Sequence, residues 1–218
     1  MFKANPPSSL PRLNEPAPGF HADTTHGPRR LEDFAGKWLC LFSHPADFTP
    51  VCTTEFLAFS ELAPQFRECN CELLGLSIDS KFAHIAWMRN IKENFDIEVP
   101  FPIIEDLSMQ VAHAYGMIQP GASDTSAVRA TFIIDPDGVL RAMLYYPMTN
   151  GRNVDEILRL VQSLQTSAKH KVATPENWQP GDKVICPPPQ TLDDANGRES
   201  ESDEYIDWYF TKKSCPGK

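Results

Sequence analysis

With 218 residues, the chain has room for one domain and an appendage or for two small domains, which excludes a repeat array or a large multidomain assembly. At 41% hydrophobic and 22% charged it holds enough apolar side chain for a core, too much for a mainly disordered chain. A net charge of −9 has the wrong sign for gripping phosphate backbones or anionic lipids, so neither nucleic acid nor membrane is an expected partner. No apolar run approaches the ~20 residues of a membrane helix. The opening MFKANPPSSLPRL lacks the apolar centre of a secretion signal, which makes the expected location cytoplasmic. The cysteines at 40, 52, 69, 71, 186 and 215 are then expected to be reduced.

Only 8 of the 20 prolines fall within residues 31–170, so the regular domain is expected in the middle of the chain. Along it, Trp38–Phe42, Leu73–Ile78, Ala130–Asp135 and Val139–Tyr145 are short apolar runs of the buried-strand kind. Pro136-Asp137-Gly138 reads as a hairpin turn between the last two, with Gly accepting positive φ. Helical spacing relates Cys52, Phe56, Phe59 and Phe66, then Ile85, Met88 and Ile91, and finally Val154, Ile157, Leu158, Val161 and Leu164. The alternation predicts an α/β protein with a mixed central sheet flanked by helices. It is a thioredoxin-like outline, an element order shared with other α/β folds.

Beyond Thr174 the character changes. Pro187-Pro188-Pro189 is stiff, residues 192–204 carry six acids and one Arg, and Tyr205, Trp208, Tyr209 and Phe210 follow. This reads as a C-terminal arm whose aromatics dock on a neighbouring surface, such as another subunit, or pack on their own domain.

Chemistry concentrates in Ser43-His44-Pro45-Ala46-Asp47-Phe48-Thr49-Pro50-Val51-Cys52-Thr53-Thr54-Glu55, between a strand and a helical pattern. Thr49 fits an N-cap, Pro50 the first helical position, and Cys52 the third. Free N–H groups and the positive end of the helix dipole there favour a thiolate. The same position also suits an inert buried cysteine. Pro45 and the Thr49 hydroxyl add a rigid turn and a group that can orient a small polar partner.

Pro45 to Cys52 resembles the peroxiredoxin signature PxxxTxxC, and the longer SHPADFTPVCTTE is similar to the one-cysteine or Prx6-type subgroup. LSIDS at 76–80, PFPIIED at 100–106, RATFIIDPDG at 129–138, YYPMTNGRNVDEILR at 145–159 and VATPENW at 172–178 extend the likeness over roughly residues 14–190, and more loosely into the arm of extended archaeal and bacterial members. The resemblance implies a thioredoxin-like peroxidase domain over 1–170 and a C-terminal peroxiredoxin domain and arm over 171–218. It implies that the Cys52 thiolate attacks a peroxide and becomes a sulfenic acid. Thr49 matches the residue that holds the peroxide, and Pro45 the one that shields the site. Arg129 matches an arginine that favours the thiolate and the transferring oxygens, Arg152 a second active-site arginine, and Glu55 the carboxylate that pairs with both. His44 either contacts the sulfur and substrate or caps the strand end. His21, His26, His84, His113 and His170 belong to no motif.

Turnover needs a thiol to remove the sulfenic oxygen. Cys215, in a Ser-Cys-Pro context on a short basic tail, is the leading internal candidate, and Cys186, before three prolines, is the weaker one. The alternative is an external thiol, from thioredoxin, glutaredoxin or glutathione. The comparable arm segment of extended relatives carries cysteines, whereas Asp207-Trp208-Tyr209-Phe210-Thr211 has none. Cys69 and Cys71 lack the spacing of a zinc site and should end a helix and enter a strand, with Cys40 in the core. The expected activity is reduction of hydrogen peroxide and organic hydroperoxides, without metal, haem, flavin or other cofactor. The expected assembly is a homodimer, with a decamer as its extension. A redox sensor or chaperone-like module switched by the same cysteine is the competing reading.

Overall fold

The computed structural model describes residues 10–123 and 125–215. The opening segment 1–9, part of the stretch read for a secretion signal, and the tail after Cys215 lie outside them. The chain divides into two compact units, residues 1–154 and 155–218.

In the first unit, β1 (His21–Ala22) and β2 (Arg29–Arg30) form a small antiparallel pair. They precede β3 (Trp38–Ser43), α1 (Pro50–Glu68), β4 (Cys71–Ser77), α2 (Lys81–Phe95), β5 (Ile103–Glu105), α3 (Gln110–Ala114), β6 (Arg129–Ile134) and β7 (Leu140–Tyr146). The sheet order is β5-β4-β3-β6-β7. β3, β4 and β5 are parallel, and β6 runs antiparallel to both β3 and β7. This is the expected mixed sheet of thioredoxin-like type, and all four apolar runs are strands in it.

β3 lies at the centre and is buried along its whole length, so it has no polar face. The period of two still operates. Leu39 and Leu41 join the core cluster that includes Leu74, Leu76, Phe132 and Tyr115. Phe42, next along, instead stacks on Phe59 of α1, with centroids 4.0 Å apart, and meets Phe56 and Phe101 edge to face. β4 makes room for this packing with Gly75, where an added Cβ would stand 3.3 Å from the Phe56 ring.

One reading needs correction in part. In α2 the aliphatic spacing marks the inner face only in part: Ile91 is buried, but Ile85 is 41% exposed, and His84 and Trp87 are buried as well. An aromatic and a hydrogen-bonded histidine share that face with Ile91. The arm carries regular structure of its own. α4 (Val154–His170) leads to β8 (Val184–Ile185), α5 (Leu192–Gly197), β9 (Glu204–Asp207) and β10 (Phe210–Lys213), with sheet order β8-β10-β9. Thr191 caps α5 by accepting from the Asp194 N–H. Val172, Trp178 and Val184 form a small core against which Cys215 packs. The hairpin aromatics do not bury themselves on this unit: Trp208 is 49% and Tyr209 56% exposed.

Candidate active site

The signature segment carries the chain from the end of β3 to the start of α1. Thr49 stands at the N-cap with extended backbone and Pro50 at the first helical position, which places Cys52 third, as expected. The Thr49 side chain does not cap the helix. Its hydroxyl donates to the Ala46 carbonyl at 2.9 Å, leaving lone pairs on Oγ1 to accept from a ligand. Pro45, earlier on the same turn, is buried. Phe48, immediately before Thr49, has φ of 55°, a left-handed conformation costing a side-chain-bearing residue about 1–2 kcal/mol.

Cys52 has no exposed surface. Arg129, at the start of β6, donates from Nη1 to the Cys52 Sγ at 3.3 Å and to Glu55 Oε2 at 2.8 Å, and from Nε to the Met148 carbonyl. Glu55, three residues beyond Cys52 on α1, lies between the two arginines. Arg152 reaches Glu55 Oε1 through its backbone N–H and Nε at 2.8 and 2.9 Å, and Oε2 through Nη2 at 2.7 Å. Its Nη1 donates to the Ala130 carbonyl and Thr131 Oγ1. The guanidinium also lies over the Phe42 and Phe59 rings, 5.4 and 5.7 Å from their centroids.

Burial alone would raise the Glu55 pKa, but the hydrogen bonds and charge of Arg152, aided by Arg129, hold it below its ordinary 4.5. Glu55 is therefore a carboxylate. The buried set holds two guanidinium charges and one carboxylate, so it is electrically balanced only when Cys52 is a thiolate. Cys52, Glu55, Arg129 and Arg152 form one hydrogen-bonded constellation, and Thr49 and Pro45 lie on the turn that leads into it.

His44, at the same end of β3, is wholly buried. Its Nε2 lies 2.8 Å from Asp47 Oδ1, and its Nδ1 is buried with no hydrogen-bond partner. Asp47 Oδ2 also meets His84 Nδ1 at 2.7 Å, while His84 Nε2 faces the Ile104 carbonyl. Neither Asp47 nor His84 was singled out from the sequence. A histidine sharing the buried helical face of Trp87 and Ile91 was the available signal, because a buried imidazole requires partners.

The remaining cysteines lie elsewhere. Burial pushes the Cys40 thiol up to about 12 and raises Cys71 well above its ordinary range. Cys69 caps the end of α1 and Cys71 opens β4, as expected. Cys186 is buried, its N–H bonded to the Thr211 carbonyl, and Cys215 is half-buried. None of the six cysteines is in a disulfide.

A basic, hydrogen-bonded niche around a cysteine at a helix start defines a thiol-based redox site, and comparison with known proteins specifies which kind. Residues 13–143 match the AhpC/TSA family and residues 163–202 the C-terminal domain of 1-Cys peroxiredoxin. A peroxiredoxin of Aquifex aeolicus is 56% identical over 216 residues, covering 94% of this chain and 97% of the relative. One of Methanosarcina mazei is 51% identical, covering 94% and 98%. Among solved structures, a yeast mitochondrial 1-Cys peroxiredoxin, described for thiol resolving through glutathione/thioredoxin systems, superposes with a TM-score of 0.83 at 40% identity, covering 94% of this chain and all of that one. A cysteine-to-serine mutant of peroxiredoxin 6 from Arenicola marina gives 0.84 at 34% identity, covering 95% and 99%. The chain belongs to the AhpC/TSA family and is a peroxiredoxin of the one-cysteine, Prx6-like kind, a thiol-dependent peroxidase. Its substrates are peroxides and its reductants thiols.

Proposed function

We propose that the enzyme reduces hydrogen peroxide and small organic hydroperoxides in a one-cysteine cycle centred on Cys52. The observation that carries this is the Arg129 Nη1 bond to Sγ within a buried charge set that ionised Cys52 completes. The thiolate attacks the terminal peroxide oxygen, forming an S–OH bond while the O–O bond breaks. The departing alkoxide or hydroxide takes a proton from solvent. Arg129 faces both the sulfur and the charge that moves onto the leaving oxygen. Thr49 Oγ1 accepts the peroxide O–H, Pro45 keeps water from the sulfur, and His44 presents a lone pair at Nδ1. Glu55 and Arg152 position Arg129.

An external thiol of the glutathione or thioredoxin class reduces the sulfenic acid. Cys186 is buried and bonded into the small sheet, and Cys215 packs on the Val172–Trp178–Val184 core, which supports this reading over an internal resolver. The exposed hairpin aromatics support a homodimer, with a decamer as a further assembly, and six cysteines outside any disulfide fit a reducing cytoplasm.

Replacing Cys52 with Ser should abolish peroxide consumption; near-normal rates would refute the assignment. Non-reducing mass analysis after one equivalent of peroxide should give a sulfenic acid on Cys52 alone. A Cys52–Cys215 crosslink would instead establish a two-cysteine cycle. Sedimentation should show dimers that dissociate when Trp208 and Tyr209 are replaced with Ser; an unchanged mass would remove the hairpin from the interface.

A further inference from the structure

The cluster left over by this mechanism is the buried trio His44, Asp47 and His84, and its hydrogen bonds permit a count of protons. Ile104 offers only a carbonyl oxygen, so His84 Nε2, 3.1 Å away, must carry a hydrogen. A second proton must lie between His84 Nδ1 and Asp47 Oδ2, 2.7 Å apart, and a third between His44 Nε2 and Asp47 Oδ1, 2.8 Å apart. A carboxylate with two neutral histidines supplies only two of these three. The trio therefore holds one additional proton, which also cancels a negative charge that would otherwise be buried without compensation. Ligand atoms of the three residues lie within 4.8 Å of one another, close enough to suggest a metal ion. Their mutual distances are nevertheless those of shared protons.

Asp47 resists protonation. Burial would raise its pKa, but the bonds from both histidines hold it below the ordinary carboxylate range. Burial, only partly offset by Asp47, lowers the His44 pKa and keeps that ring neutral. We propose that His84 is an imidazolium and a positioning residue. Through Asp47 it locks His44 in the Nε2–H tautomer, so that Nδ1 is a permanent acceptor, and it fastens the turn that carries Thr49 to Cys52. The turn needs such a fastening, because Phe48, next to Asp47, is held at φ of 55°. Asp79 adds to it by accepting the Asp47 N–H at 3.0 Å.

The proposal rests on the peroxidase reading but fails separately from it. Nitrogen-15 NMR of the reduced wild-type protein at neutral pH should show both His84 ring nitrogens protonated and only Nε2 of His44. A neutral His84 would overturn the proposal whatever the activity. The His84→Ala variant should oxidise Cys52 about 10–100-fold more slowly and let His44 populate both tautomers. His84→Gln, whose amide can still donate to Asp47, should recover most of the rate. Wild-type rates in a folded His84→Ala protein would also overturn the proposal. If His84→Ala does not fold, the wild-type spectrum decides. Full activity in Cys52→Ser would refute the peroxidase reading and leave the proton count standing.

Discussion

Cys40, inside β3, and Cys52, at the first turn of α1, are equally inaccessible, with no exposed surface on either. Their surroundings differ. Cys40 sits in the core, where burial outweighs the distant charge of Arg152 and the thiol keeps its proton. Cys52 receives a guanidinium hydrogen bond, with a second arginine and a glutamate arranged around the first. Burial therefore does not decide a thiol's chemistry. It amplifies whatever charge is placed beside the sulfur, because little solvent screens it.

The most damaging way to test this contrast is to unbalance the charges. Glu55→Gln leaves two buried guanidiniums facing one sulfur, and urea unfolding should show a loss of about 3–5 kcal/mol. A loss below about 1 kcal/mol would mean the arginines are compensated elsewhere. The same carboxylate shapes the acid limb. Its pKa in the folded protein lies below the ordinary 4.5, so its contribution is complete above that value and is lost as pH falls through the depressed one. Stability of Glu55→Gln should fall less steeply below about pH 4.5 than that of the wild type.

Arg129→Met should slow peroxide reduction about 100-fold and move the pH profile of Cys52 alkylation upward, as expected on losing one charged donor. An unshifted profile would show that Arg129 does not act on the sulfur. Cys40→Ala should cost about 1–2 kcal/mol through its cavity and leave the peroxide rate unchanged. The mildest check is labelling of the native protein with iodoacetamide at pH 7, where Cys52 should react and Cys40 and Cys71 should not.

The sequence showed most clearly what is contiguous. Thr49, Pro50, Cys52 and Glu55 share one strand-to-helix passage, and the roles of a cap, a proline and a third-position thiol follow from local rules. Arg129 and Arg152 come from distant segments, and only family resemblance linked them to Cys52. The trio of His44, Asp47 and His84 escaped notice because the aliphatic spacing in α2 runs through exposed Ile85 and passes over buried His84. β5 was missed as a strand for a simpler reason. It has three residues and follows Pro100 and Pro102, and such brevity carries no period. The C-terminal strands EYID and FTKK are short and polar, and their pairing is visible only in three dimensions.

Gly75 has a reach that its size conceals. Phe56 occupies the space a side chain there would fill, and Phe56 lies one helical turn from Cys52. A methyl group at this position must press the ring aside by a few tenths of an ångström, on the same helix that carries Cys52. The sheet would barely register such a shift, but an in-line attack on a peroxide bond would. Part of the catalytic tolerance is thus set beneath the helix, by the thickness of the backbone of β4.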